Sequence, residues 1–122
     1  MSKRVVYYID ERGHNPVWEF ISGLPPQERD KCLEYITHLA EMGEQIRRPL
    51  GDYLGGKLYE LRPKQSRILY FFMLKDYAVL VHAFRKKTRE VPEREYRKAL
   101  NIMESIFAGY QKGKIQFGEI KI

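Results

Sequence analysis

Cysteine is almost missing from these 122 residues: Cys32 stands alone, so no internal disulfide can form and a reducing, cytoplasmic setting is expected. Histidine is scarce as well. His14, His38 and His82 are scattered and lack a cysteine pair to complete a zinc-ligand set, so no metal and no cofactor are expected. No stretch approaches the roughly 18–20 consecutive apolar residues of a membrane span, so no membrane partner is expected. Met1-Ser2-Lys3-Arg4 is not followed by the apolar run and small-residue cleavage site of a secretory leader. Neither a GxxxxGK phosphate loop nor a GxSxG nucleophile turn occurs, and there is no internal repeat or low-complexity tract.

What is present is apolar, aromatic and basic. An apolar fraction of 43% with 13% aromatics is too high for wholesale disorder. The length suits one domain with its own core, taken as residues 1–110 followed by a tail over 111–122. A formal charge of +6 and an isoelectric point near 9.4 point toward an anionic partner, nucleic acid or an acidic protein.

Lys3–Ile9 is β-branched and aromatic and predicts a strand, ended by Asp10-Glu11-Arg12-Gly13. Asn15-Pro16 supplies a cap and a first-turn proline for a short helix carrying Val17, Phe20, Ile21 and Leu24. A second helix is predicted from Pro26 to Met42, with Cys32, Leu33, Ile36, Leu39 and Ala40 on one stripe and Gly43 as its stop. Glu44–Gly56 holds Pro49, Gly51, Gly55 and Gly56 and reads as a loop. A last helix is predicted from Pro92 to about Ala108. In the tail, Ile115, Phe117, Ile120 and Ile122 fit a short added strand or a segment mobile until a partner arrives.

The organising stretch is residues 58–100. Leu58–Arg62 alternates, Arg67–Leu74 is densely apolar, and Tyr77–Phe84 is a second apolar run after the short interruption Lys75-Asp76. These predict three consecutive antiparallel strands. The sheet then ends in Arg85-Lys86-Lys87-Thr88-Arg89. The expected order is β-α-α-β-β-β-α: an α+β domain with a mainly antiparallel sheet and a helical hairpin packed on it.

The ordered set LYELR (58–62), SRILYFF (66–72), VLVHAFRKKT (79–88), then Pro92, Glu95, Tyr96 and Ala99, resembles the RelE/HigB toxins of bacterial type II toxin–antitoxin modules, and most closely their phage-derived HigB-like branch. The resemblance spans roughly Val5 to Ile106. It implies a compact microbial-RNase-like fold and a metal-independent mRNA endonuclease, ribosome-dependent in the family's manner, that drives the ribose 2′-hydroxyl onto the adjacent phosphate. It also implies a cognate antitoxin, HigA-like with a helix-turn-helix domain, and a higher-order toxin–antitoxin complex.

Such cleavage needs a base for the 2′-hydroxyl, stabilisation of the phosphorane charge, and a proton for the leaving 5′-oxygen. Arginine suits the second task through its fixed fork. Arg67 opens the central apolar strand, and the resemblance matches it to the strand arginine that contacts the scissile phosphate; an ordinary strand-end cation is the plain alternative. Arg62 lies across an expected turn, where the two guanidinium groups can converge unless Glu60 simply pairs with it. Lys86 and Lys87 stand where the family places a basic residue after the last strand. Alternation points them to opposite sides, so one of them is expected in the site.

Tyr96 matches the family's helix tyrosine but also begins an apolar stripe. Glu60 stands where RelE has a lysine, which leaves the general base open between this carboxylate and other groups. Lys57, Arg85, Arg89, Arg47 and Arg48 are candidate RNA-backbone contacts. His82 is expected to be a buried, hydrogen-bonded core histidine on one face with Ala78, Leu80 and Phe84. A non-catalytic module that binds RNA or an antitoxin, as a decayed toxin or transcriptional co-repressor, is the alternative function.

Overall fold

A computed structural model describes residues 2–111 and 117–119. Its elements are β1 (Arg4–Tyr8), α1 (Pro16–Ser22), α2 (Pro26–Met42), β2 (Gly51–Gly55), β3 (Leu58–Leu61), β4 (Ser66–Met73), β5 (Tyr77–Arg85), α3 (Glu93–Gln111) and β6 (Phe117–Glu119), with a 3₁₀ turn at Gly43–Gln45. The strands form one sheet in the order β2-β3-β4-β5-β1-β6. The class is α+β, as expected. Among the described residues all pairings are antiparallel except β1 with β5, which run parallel with Val6 beside Val79.

Both helix starts follow from local chemistry. The Asn15 side chain accepts the Trp18 N–H at 3.1 Å and caps α1. Pro26 opens α2, and Gly43, at φ 57°, ends it by returning its N–H to the Leu39 carbonyl. The α3 helix runs through Gly109 to Gln111, past the expected stop at Ala108. An isolated glycine costs a helix only about 1 kcal/mol, too little to end one that is anchored by packing.

The helices divide between two faces. Val17 and Ile21 of α1, with Cys32, Ile36 and Leu39 of α2, pack against Val5, Tyr7, Leu61, Ile68, Tyr70, Ala78 and Leu80. Ala99, Met103 and Ile106 of α3 pack on the opposite face, against Val6, Leu58, Leu69, Phe71, Val79 and Val81. The sheet is therefore enclosed on both sides, which explains why β4 reads as an unbroken apolar run.

Three local expectations are corrected. Residues 51–55 are not loop: they form β2, an edge strand joined to β3 by the Gly56-Lys57 turn, with φ of 60° and 72°. Glycine at both of its ends hides the strand's propensity, and pairing with β3 supplies what propensity lacks. The β4–β5 connection spans Leu74, Lys75 and Asp76 rather than two residues, and Leu74 itself takes φ 53°. Finally, a bulge places Val81 between the pairs Tyr70–Leu80 and Leu69–His82. This extra residue turns His82 to the α3 side with Phe84, and puts Ala83 on the α1–α2 side with Ala78 and Leu80. Phe117–Glu119 pairs with Tyr8–Val6 at the far edge, while Ile115, Ile120 and Ile122 lie outside the described residues.

Candidate active site at one end of the sheet

The ends of β3 and β5 and the start of β4 meet at one end of the sheet. Ser66 lies opposite Arg85, and the Lys86 N–H reaches the Gln65 carbonyl at 2.7 Å. The exit of β5 is thereby tied to the β3–β4 turn, which brings Lys86 alongside Gln65.

Alternation along β4 sends Ser66, Ile68 and Tyr70 toward α1 and α2. Arg67, Leu69 and Phe71 point the other way. Glu60 lies opposite Leu69 on β3 and shares that face. The consequence is a cluster of three charged residues. Arg62 Nη1 donates to Glu60 Oε2 at 2.6 Å, and Arg67 Nε lies 3.7 Å from Glu60 Oε1. One carboxylate thus serves two guanidinium groups.

The pair is not equivalent. The Arg67 side chain is 5% exposed and that of Arg62 18%. Arg67 Nη1 also donates to the carbonyls of Ser66 at 2.7 Å and Lys64 at 2.9 Å. Burial first, and the nearby Arg62 second, push the Arg67 pKa below its usual value. Glu60 is also buried, and its Oε1 has no hydrogen-bond partner.

On the neighbouring β2, Asp52 lies opposite Glu60 and accepts from Arg48 Nε at 2.9 Å. That hydrogen bond holds the Asp52 carboxyl below the usual carboxylate range, with Arg62 acting in the same direction. Arg48 acts on Arg67 as well. The group is therefore three guanidiniums, Arg48, Arg62 and Arg67, against two carboxylates, Asp52 and Glu60, and it keeps an excess positive charge.

The remaining sequence candidates fall elsewhere or are differently engaged. Arg85 reaches Glu28 of α2 at 3.2 Å. Lys87 and Arg89 are exposed, and Lys86 is half-buried. Arg47 turns back to the Glu44 and Ile46 carbonyls. Tyr96 and Lys57 sit at the other end of β3: the Tyr96 hydroxyl donates to the Gly55 carbonyl at 3.2 Å, and the Lys57 ammonium lies over the Phe107 ring at 5.8 Å. His82, 8% exposed, meets Glu95 of α3 at 3.3 Å. Cys32 is wholly buried, and burial pushes its thiol up to about 11.

Two charged partners escape the sequence reading. Asp52 stands four residues after Arg48, a spacing that offers a hint. Glu28 is 57 positions from Arg85, and no local pattern links them.

The family model for phage derived protein Gp49-like (DUF891) matches residues 19–104. The chain belongs to this family. Among solved structures, the isolated E. coli RelE toxin, in its P21 crystal form, is similar to this Gp49-like chain at 18% identity, covering 80% of this chain and 98% of that one with a TM-score of 0.47. No curated protein matches the chain. Among the described residues, no helix of the Gp49-like chain is long and apolar enough to cross a membrane, and no three His, Cys, Asp or Glu side chains gather to hold a metal ion.

Proposed function

We propose that this Gp49-like chain is the toxin component of a toxin–antitoxin module, an endoribonuclease that cleaves mRNA by 2′-hydroxyl attack on the adjacent phosphate. Family membership and the sequence resemblance support the toxin assignment. The observation that carries the chemistry is the convergence of Arg62 and Arg67 on Glu60, beside the cationic exit of β5.

In this reading the Arg62–Glu60 contact is a resting state. A phosphate exchanges for the carboxylate on the Arg62 fork, because both anions fit the same planar donors. Glu60, released, then accepts the 2′-hydroxyl proton. Lys86 or Lys87 donates a proton to the departing 5′-oxygen as its bond to phosphorus breaks, and Arg48 and Arg89 follow the RNA backbone. No step uses a cofactor. Tyr96 and Lys57 take no part in the chemistry; they hold α3 against the β2–β3 turn. The partners are mRNA on the ribosome and a cognate antitoxin of the helix-turn-helix kind, in a higher-order complex in the cytoplasm.

One observation favours a second reading, a non-catalytic RNA- or antitoxin-binding module. Glu60 engages both arginines, and the innermost is nearly inaccessible. Induced expression of the chain alone separates the two. The nuclease reading expects growth arrest with truncated mRNAs bearing cyclic phosphate ends, both lost in Glu60→Gln or Arg62→Ala. Healthy growth and intact transcripts, with verified soluble protein, leave the binding module.

A further inference from the structure

We propose that Arg67 is a positioning residue rather than a phosphate ligand: it clamps Glu60 and the β3–β4 turn so that Arg62, of the two, presents the open guanidinium fork. This rests on the nuclease reading, and departs from the phosphate contact that the sequence resemblance assigns to the strand arginine. Three engagements fix Arg67. Its Nη1 spans the carbonyls of Lys64 and Ser66, and its Nε faces the Glu60 oxygen that has no hydrogen-bond donor. Lys64, whose carbonyl it holds, lies in the left-handed region at φ 53°, so the arginine secures the one residue of that turn with a positive φ.

To offer a phosphate two parallel N–H groups, Arg67 must give up a carbonyl or its contact with the buried carboxylate, since each edge of its fork includes an engaged nitrogen. Groups left unpaired in that setting are strongly disfavoured. Arg62 has less to give up. Its single side-chain hydrogen bond is the 2.6 Å one to Glu60, and the rest of its fork has no partner among the described residues. The two arginines therefore divide the work. The inner one sets the position of the carboxylate, and the outer one meets the substrate.

The test uses the full chain, with message on programmed ribosomes for cleavage and a 2′-deoxy single-stranded oligonucleotide of the same sequence for binding. For single strands the salt slope of binding falls by about 0.7 for each phosphate that the protein no longer neutralises. Arg62→Gln is expected to reduce the slope by that amount. Arg67→Gln is expected to leave slope and Kd unchanged, yet lower the single-turnover cleavage rate at least tenfold at a temperature where both variants are folded. Arg67→Lys should not rescue cleavage, since a lysine cannot span two carbonyls and the carboxylate together.

Should Arg67→Gln fail to fold, Glu60→Gln combined with Arg67→Met removes both members of the buried pair and reports the slope instead. A slope reduced in the Arg67 variants means phosphate contact and overturns the proposal. Unchanged cleavage in folded Arg67→Gln reduces the residue to a stabilising role and overturns it equally. A wild-type chain that neither binds RNA nor cleaves message on programmed ribosomes fails in a different place: the nuclease reading is lost, and this division of labour with it.

Discussion

The hydroxyl of Tyr96, on α3, donates to the carbonyl of Gly55, at the β2–β3 turn, across 41 positions of sequence. An added Cβ on the next residue, Gly56, would run into that same hydroxyl, and Gly56 sits at φ 60°. Helix and turn are therefore fitted to each other. Gly56→Ala is expected to cost about 1–3 kcal/mol through overpacking and backbone strain. Tyr96→Phe should cost about 1 kcal/mol for the missing hydrogen bond. In the double variant part of the Gly56→Ala penalty should return, because the obstructing oxygen is gone. Urea unfolding of the four proteins measures the coupling.

The shared carboxylate predicts an asymmetry in stability. Glu60→Ala strands the buried Arg67 and should cost about 3–5 kcal/mol. Arg62→Ala leaves Glu60 with a remaining cation and should cost only about 1–2 kcal/mol. Equal losses in chemical denaturation would sink the view that Glu60 is the hub of the group.

Acid should weaken the protein from the histidine range downward. Burial, only partly opposed by Glu95, puts the His82 pKa below its ordinary 6.5. Between the unfolded and folded values the unfolded chain binds more protons, so stability is complete above pH 6.5 and declines as pH falls toward the lower folded value. His82→Gln is expected to flatten this part of a stability–pH curve. A curve of unchanged slope there would show that the proton uptake belongs to another group.

Electrostatics at the two ends of β3 should separate. Lys86→Ala and Lys87→Ala together are expected to weaken single-stranded RNA binding and to shrink its salt slope by about 0.7 for each phosphate left without its cation. Lys57→Ala, at the far end over Phe107, should leave the slope alone. Titrations across a range of potassium chloride distinguish them.

Much of the scaffold is legible in the sequence because its signals are local. The Asn15-Pro16 start, the Pro26 start and the Gly43 stop each act within a single turn of helix. The apolar runs of β4 and β5 announce burial. What escapes depends on partners distant in the chain. Pairing with β3 makes a strand of glycine-flanked residues 51–55, and one extra residue, Val81, decides which way His82 points. The enclosure of both sheet faces also needs α3 to cross over. At the site, the sequence suggests that Arg62 and Arg67 converge, and that Glu60 is near them. It does not reveal that Arg67 lies beneath the surface. That follows from the Lys64 and Ser66 carbonyls and from the register that sets Glu60 beside Leu69.

The parallel pairing of β1 with β5, the one such pairing among the described residues, bears on how the molecule comes into being. Arg4–Tyr7 align with Tyr77–Leu80, so the first strand synthesised finds no neighbour in the sheet until more than half of the polypeptide has been made. Pairings that distant form slowly and late. The exit of β5, whose Lys86 N–H reaches the Gln65 carbonyl beside that charged group, emerges only afterwards. A growing chain on its ribosome thus has no assembled site until translation has passed residue 87.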